Sequence, residues 1–270
     1  MEIKRALYIS QEITPYLRAT TMSTICRDLP QGVQETGVEV RTFMPRFGSI
    51  NERRNQLHEV IRLSGLNLSI DDTDHPLIIK VATLLPSRMQ VYFIDSDDYF
   101  QRHSSEGLEI YIDSAENDER LMFFARGVIE TAKKLRWTPD IIHCSGWISA
   151  LTPLYLKKAY TNEPTFRDCK VIYSIYDSEM PEVLNERAIE KLHMDNFSDK
   201  TLKSIREKKQ ICTADLHRLA IDYADALVLA SENIDPEITE YAKASGKPIL
   251  EYITNEDQLV KAHLDFYSQL

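Results

Sequence analysis

Short apolar runs alternate with amphipathic stretches along this chain. Ala6–Ser10 reads as a buried first strand, and the loop Gln11–Thr21 leads into a helix whose apolar residues Met22, Ile25, Cys26, Leu29 and Val33 recur at helical spacing. Val38–Met44 predicts a second strand, closed by Pro45-Arg46-Phe47-Gly48; Asn51–Asn55 is a charged connection. His58–Ser69 and Pro76–Leu85 alternate apolar and polar positions around the turn Asp71-Asp72-Thr73-Asp74, the pattern of an antiparallel β-hairpin or meander. Gln90–Ile94 is a short strand, Ser96–Ser105 a loop, and Ala115–Trp137 the most strongly helical part, with Leu121, Phe124, Val128, Ala132 and Leu135 on one stripe. Asp140–Cys144, Lys170–Ile175, Ala226–Ala230 and Ile249–Ile253 read as further strands; Ser149–Lys158, Thr213–Ala224, Asp235–Ser245 and Asn255–Leu270 read as helices. Pro181–Lys209 is highly charged and predicts helices with solvated faces, with partner docking as a sharper alternative.

Such alternation is the signature of parallel strands joined by helical crossovers. It predicts an α/β fold: a Rossmann-like, mostly parallel sheet with helices on both faces and a β-hairpin insertion, with residues 1–270 as one domain. Composition narrows the function. A formal net charge of −10 argues against a nucleic-acid backbone as partner. No apolar run reaches the roughly 18 residues of a membrane span, and the first strand follows Met1 almost at once, leaving no room for a signal peptide. The widely spaced Cys26, Cys144, Cys169 and Cys212 form no CxxC pair and read as reduced thiols of a cytoplasmic protein. No cofactor or metal site is implied.

The first strand, loop and helix are arranged like a phosphate-binding turn without its glycines, since Arg18-Ala19-Thr20-Thr21 stands where such turns let backbone approach a pyrophosphate. Three ordered blocks then carry a family resemblance. The first runs from Ile9-Ser10-Gln11-Glu12-Ile13-Thr14-Pro15-Tyr16 through Asp28-Leu29-Pro30 to Met44-Pro45-Arg46-Phe47-Gly48. The second joins Glu116–Arg126 to Trp137–Cys144, Trp147 and Ala150–Lys157, and the third is Ile221–Ser231 with Glu237-Ile238. Together they resemble the N-terminal domain of bacterial glycogen and starch synthases. The resemblance implies one half of a GT-B fold, two facing Rossmann domains that move glucose from a nucleotide-sugar to an α-glucan.

The family's chemical positions are altered here. Its Lys-Thr-Gly-Gly loop is Arg18-Ala19-Thr20-Thr21, which keeps a cation but sets β-branched side chains where backbone would meet a diphosphate; the acidic position beyond it is Thr24. Its His-Asp-Trp-His becomes Ser145-Gly146-Trp147-Ile148, and its Thr-Ile-His-Asn becomes Ser174-Ile175-Tyr176-Asp177, a phenol in place of an imidazole. Its Lys-x-Gly becomes Arg218-Leu219-Ala220, and the chain stops at Leu270, where the resemblance expects the second Rossmann domain.

No residue is therefore assigned a catalytic role. Arg18, Thr20, Thr21, Trp147, Tyr176 and Asp177 are the ligand-binding candidates, each set against a plainer reading: a solvated arginine, a core tryptophan, a polar strand end. Adjacent His143 and Cys144 point to opposite faces of a strand, which argues against a catalytic pair. Asp95, Asp97 and Asp98 read as an acidic loop. Two functions follow. The first is a catalytically degenerate binding or interaction module for a glucan, a phosphorylated metabolite or a protein partner, including a second copy of itself. The second is a glycosyltransferase whose partner supplies the missing half.

Overall fold

The computed structural model describes residues 2–101, 116–178, 180 and 183–270. In chain order these form β1 (Arg5–Ser10), α1 (Thr21–Glu35), β2 (Glu39–Pro45), β3 (His58–Glu59), β4 (Leu66–Ile70), β5 (Thr73–Leu84), β6 (Met89–Asp95), α2 (Asn117–Lys134) and β7 (Ile141–Ser145). There follow α3 (Thr152–Leu154), β8 (Lys170–Ile175), α4 (Ala188–Met194), α5 (Thr213–Tyr223), β9 (Ala226–Leu229), α6 (Pro236–Ala244), β10 (Ile249–Leu250) and α7 (Leu259–Ser268). The strands order as β10-β9-β8-β7-β1-β2-β6-β5-β3, with β4 also paired to β5. Every pairing from β10 to β6 is parallel; β5 joins β6 antiparallel and carries β3 and β4, so the predicted mixed α/β sheet with a hairpin insertion is what forms.

Strand alternation sends successive side chains to opposite helical layers. Tyr8 and His143 face α7, where both meet Tyr267. Tyr173 points the other way, to His217 of α5. The strands β1, β7 and β8 are buried on both faces, which explains their continuous apolar runs.

Three elements depart from the sequence reading. The hairpin turns on Asp71 and Asp72 alone, both at positive φ (48° and 59°), so Thr73 and Asp74 belong to β5 rather than to the turn. Two successive positive-φ residues match the twist of the flanking strands, and aspartate tolerates that backbone better than most residues. Ser149–Lys158 is not one helix: a 3₁₀ turn over Trp147–Ser149 passes into α3 and then a π-helical turn over Tyr155–Ala159. In the charged stretch α4 is the regular helix among the described residues, and Lys191 is 4% exposed, bridging Asp118 at 2.8 Å and Glu119 at 2.5 Å. Leu192, Leu202 and Ile205 are buried as well, so one face of this stretch packs inward while Glu186, Glu190, Lys200, Lys203 and Arg206–Lys209 stay exposed, as the charged pattern predicts. Residues 102–115, 181 and 182, on which parts of the predicted loop and helices fall, lie outside the described residues.

Helix α7 packs across α1 at Gly32. A Cβ there would come 2.3 Å from a γ-methyl of Val260. Alanine is worth about 1 kcal/mol over glycine in a helix interior, whereas overpacking costs about 1–3 kcal/mol. Gly32→Ala is therefore expected to destabilise by roughly 1 kcal/mol and to speed amide exchange in α7. A stabilised variant with unchanged α7 protection would contradict this packing.

Candidate functional site

The parallel strands end on one edge of the sheet, and β1 lies at its switch point, with β2 on one side and β7 on the other. Open α/β sheets bind ligands at such edges. Here the loop after β1 runs into α1 through a reciprocal cap: Ser23 N–H donates to Thr20 Oγ1 at 3.0 Å and Thr20 N–H donates to Ser23 Oγ at 2.8 Å. Thr20 Oγ1 also donates to the carboxylate of buried Glu12. Thr20 thus anchors the start of α1. Arg18 is exposed, and its carbonyl accepts from Ser23 Oγ at 3.1 Å. Thr20 and Thr21 line an open groove of about 540 Å³ whose opposite wall is Glu256, Leu259 and Val260.

After β7 the backbone turns at Gly146, with φ 83° and ψ 164°, a conformation essentially confined to glycine. A Cβ there would fall 2.6 Å from Gln11 Oε1 and 2.8 Å from Gln11 Cβ. Trp147 follows and is wholly buried. At the end of β8, Tyr176 is also buried, its ring directed toward Ser145 and Cys26 under α1. Burial holds the Tyr176 phenol well above its ordinary pKa and pushes the Cys26 thiol up to about 11, so both stay protonated at neutral pH. The cavity bordered by Ser10, Cys26, Ser145, Ser174 and Tyr176 holds only about 30 Å³, little more than a water or two.

A roomier hollow of about 210 Å³ opens beyond Tyr176 at the ends of β8 and β9. Asp177, Ser178, Thr213, Asn233 and Asp235 form its polar lining, over the buried His217 and Ile238. Asp235 Oδ1 accepts from Glu237 N–H at 2.8 Å and caps α6, while Asp177 N–H donates to Ser231 Oγ at 3.3 Å.

Residues 5–252 match the family described as the starch synthase catalytic domain. The chain belongs to that family. It is 34% identical over 238 residues to a glycogen synthase of Pelodictyon phaeoclathratiforme, covering 87% of this chain and 47% of that protein. It is 39% identical over 175 residues to a glycogen synthase of Chlorobium chlorochromatii, covering 64% and 36%. The chain thus spans about half the length or less of these relatives. In fold it is similar to the catalytic domain of starch synthase IV from Arabidopsis thaliana bound to ADP and acarbose, with a TM-score of 0.74, 14% identity, and coverage of 95% of this chain and 52% of that one.

For this starch synthase family member, the candidate residues are distributed over neighbouring hollows along the strand-end edge. Thr20 and Thr21 border the α1–α7 groove, Tyr176 and Asp177 border the hollow beyond β8, and Trp147 belongs to the core. Arg18 stays at the surface. Asp95 departs from the acidic-loop reading: it ends β6, is fully buried and pairs with Lys80 at 2.8 Å. Exposed Asp98 instead meets His75 Nδ1 at 2.6 Å. His143 and Cys144 do face opposite layers. His143 Nδ1 lies 2.6 Å from the Tyr267 hydroxyl and Nε2 2.6 Å from Ser174 Oγ, whereas Cys144 lies by Thr152. Ser178, Thr213, Asn233 and Asp235 were not singled out from sequence. The available signal was positional: Asp235-Pro236 is a helix-start pattern directly after a predicted strand, which places polar groups at the ligand-binding edge.

Proposed function

We propose that this chain is a binding domain built on the first Rossmann half of the synthase fold, engaging a glucan, a phosphorylated metabolite or a protein partner without transferring glucose. Residues 1–270 act as a single unit in this reading. The observation that carries it is Tyr176. A buried phenol stands where the resemblance places an imidazole beside the transferred sugar. Gly146 supports the same reading, because its backbone leaves no place for the family's aspartate. The buried free thiols Cys26, Cys144 and Cys169 suit a reducing, cytoplasmic setting.

Incubation with glycogen and radiolabelled ADP-glucose or UDP-glucose is expected to give no incorporation above blank, and titration calorimetry with either nucleotide-sugar no heat. Incorporation that scales with protein would overturn the proposal. One observation favours the alternative, a transferase completed by a partner: Arg18 keeps an exposed cation at the loop where the family carries lysine. Under that alternative, incorporation appears only when a partner fraction is added and disappears in Arg18→Ala.

A further inference from the structure

The charged stretch between α4 and α5 carries a row of cations outside the candidate site. Lys200, Lys203, Arg206, Lys208 and Lys209 stand within ten residues that hold one carboxylate, Glu207, in a chain whose net charge is −10. Burial repeats here at every third residue. Leu202 and Ile205 are buried, Thr201 and Ser204 are half-buried, and Lys200, Lys203, Arg206 and Lys209 are exposed. The Leu202 carbonyl accepts from Ile205 N–H and the Ile205 carbonyl from Lys208 N–H, both at 2.9 Å, which winds the chain at about three residues per turn. Residues three apart then stand above one another. The four exposed cations form one stripe with steps of about 6 Å and a length of about 18 Å.

The stripe is held in place at both ends. The Tyr223 hydroxyl donates to the Thr201 carbonyl at 2.6 Å, and Lys208 pairs with Asp215 at 3.1 Å, so the stretch is tied along α5. Arg206 meets Glu207 at 3.1 Å, but Lys200, Lys203 and Lys209 make no ion pair among the described residues. Like charges fixed in a row repel one another, and a complementary row of anions removes that cost. The chemistry of the stretch narrows the anion. It contains no aromatic residue on which a base could stack, and its two large apolar residues, Leu202 and Ile205, point inward and away from any lipid surface. A long polyanion would run past the stripe onto a surface of net negative charge. A short run of carboxylates would not. Alternate side chains of an extended peptide share one face about 6.7 Å apart, close to the step of the stripe.

We infer that Lys200, Lys203, Arg206 and Lys209 form a docking stripe for a short, extended acidic segment of a partner protein, whose carboxylates stand at alternate positions. Fluorescence anisotropy of a labelled eight-residue peptide of alternating glutamate and serine, titrated with the full chain, tests it. The peptide is expected to bind with a Kd of about 100 μM at low salt and about tenfold more weakly near 0.2 M salt. An oligothymidylate of eight nucleotides is expected to bind more weakly than the peptide. Lys200→Ala, Lys203→Ala and Lys209→Ala combined are expected to weaken peptide binding about tenfold. Lys4→Ala, Lys243→Ala and Lys261→Ala combined remove the same charge from exposed positions elsewhere and are expected to leave binding unchanged. Circular dichroism and the unfolding midpoint verify that both variants are folded; Lys203→Glu alone replaces the stripe variant if that one is not. Equal weakening by the two sets of substitutions overturns the inference, because net charge alone then explains the binding. Absence of peptide binding at low salt overturns it as well, and so does oligothymidylate binding as tight as the peptide's, which would assign the stripe to a nucleic acid. Glucose transfer is read separately by label incorporation, and none of these results bears on it.

Discussion

Restoring the family's aspartate by Gly146→Asp is expected to lower the unfolding free energy by about 3–5 kcal/mol and to produce no glucose transfer. Two costs add. The backbone at φ 83° and ψ 164° is one that residues with a Cβ rarely adopt, a penalty of about 1–3 kcal/mol. The new Cβ would also press into Gln11 and approach within 3.0 Å of Met22 Sδ, and such overpacking costs about 1–3 kcal/mol more. Guanidinium unfolding of the variant beside the parent measures the difference. A variant within 1 kcal/mol of the parent would show that the turn after β7 relaxes freely, and would remove one support for the binding-domain reading. Gly146→Ala separates the effects, since it adds the Cβ and the strain without a carboxylate.

The second large expected effect is on acid stability. His143, His217 and His263 are all buried, and burial lowers each pKa: well below the ordinary value for His143, whose neighbour His263 lowers it further, and to about 4 for His217 and His263. In the unfolded chain each regains a pKa of about 6.5. Below that pH the unfolded state binds protons that the folded state refuses, so stability present above pH 6.5 is lost as pH falls toward 4. Each histidine contributes a slope of roughly 1 kcal/mol per pH unit within that window. Asp95, Asp118 and Asp195 act in the opposite sense, because burial raises their pKa values and the folded state takes up their protons first. Guanidinium titrations at pH 7.5, 6.5, 5.5 and 4.5 are expected to show a progressive fall of several kcal/mol, shallower by one proton in His217→Gln. A free energy independent of pH between 6.5 and 4.5 would contradict neutral, buried imidazoles.

Much of this architecture was legible because it is written locally. The apolar runs of β1, β7 and β8 are continuous, as strands buried on both faces require, and the stripe of α2 could not be mistaken for a strand. The Ser149–Lys158 segment was misread because apolar spacing records only that residues face inward, not whether the backbone is wound as 3₁₀, α or π. The burial of Lys191 was not visible in the sequence for a related reason. Its charge predicts solvent, and only tertiary contact with Asp118 and Glu119 makes burial tolerable. At the site, the departures from the family pattern were visible residue by residue. Their distribution over neighbouring hollows was not, because the packing of Tyr176 under α1 is not encoded in sequence spacing. Ser178 and Asn233 escaped notice as ordinary loop residues; only the convergence of β8, β9, α5 and α6 gives them a common cavity.

The position of β1 has a consequence for how the chain reaches this structure. β1 occupies the middle of the sheet, yet Tyr8 pairs with His143 on one side and, through its hydroxyl, approaches Tyr267 at a sequence separation of 259 residues. Contacts so distant carry a large loop-closure entropy, and folds dominated by them form slowly. During synthesis, β1 emerges with apolar side chains on both faces and waits until Ile141–Ser145 is made before β7 can flank it. In that interval one of its edges is open to wrong pairing with other strands.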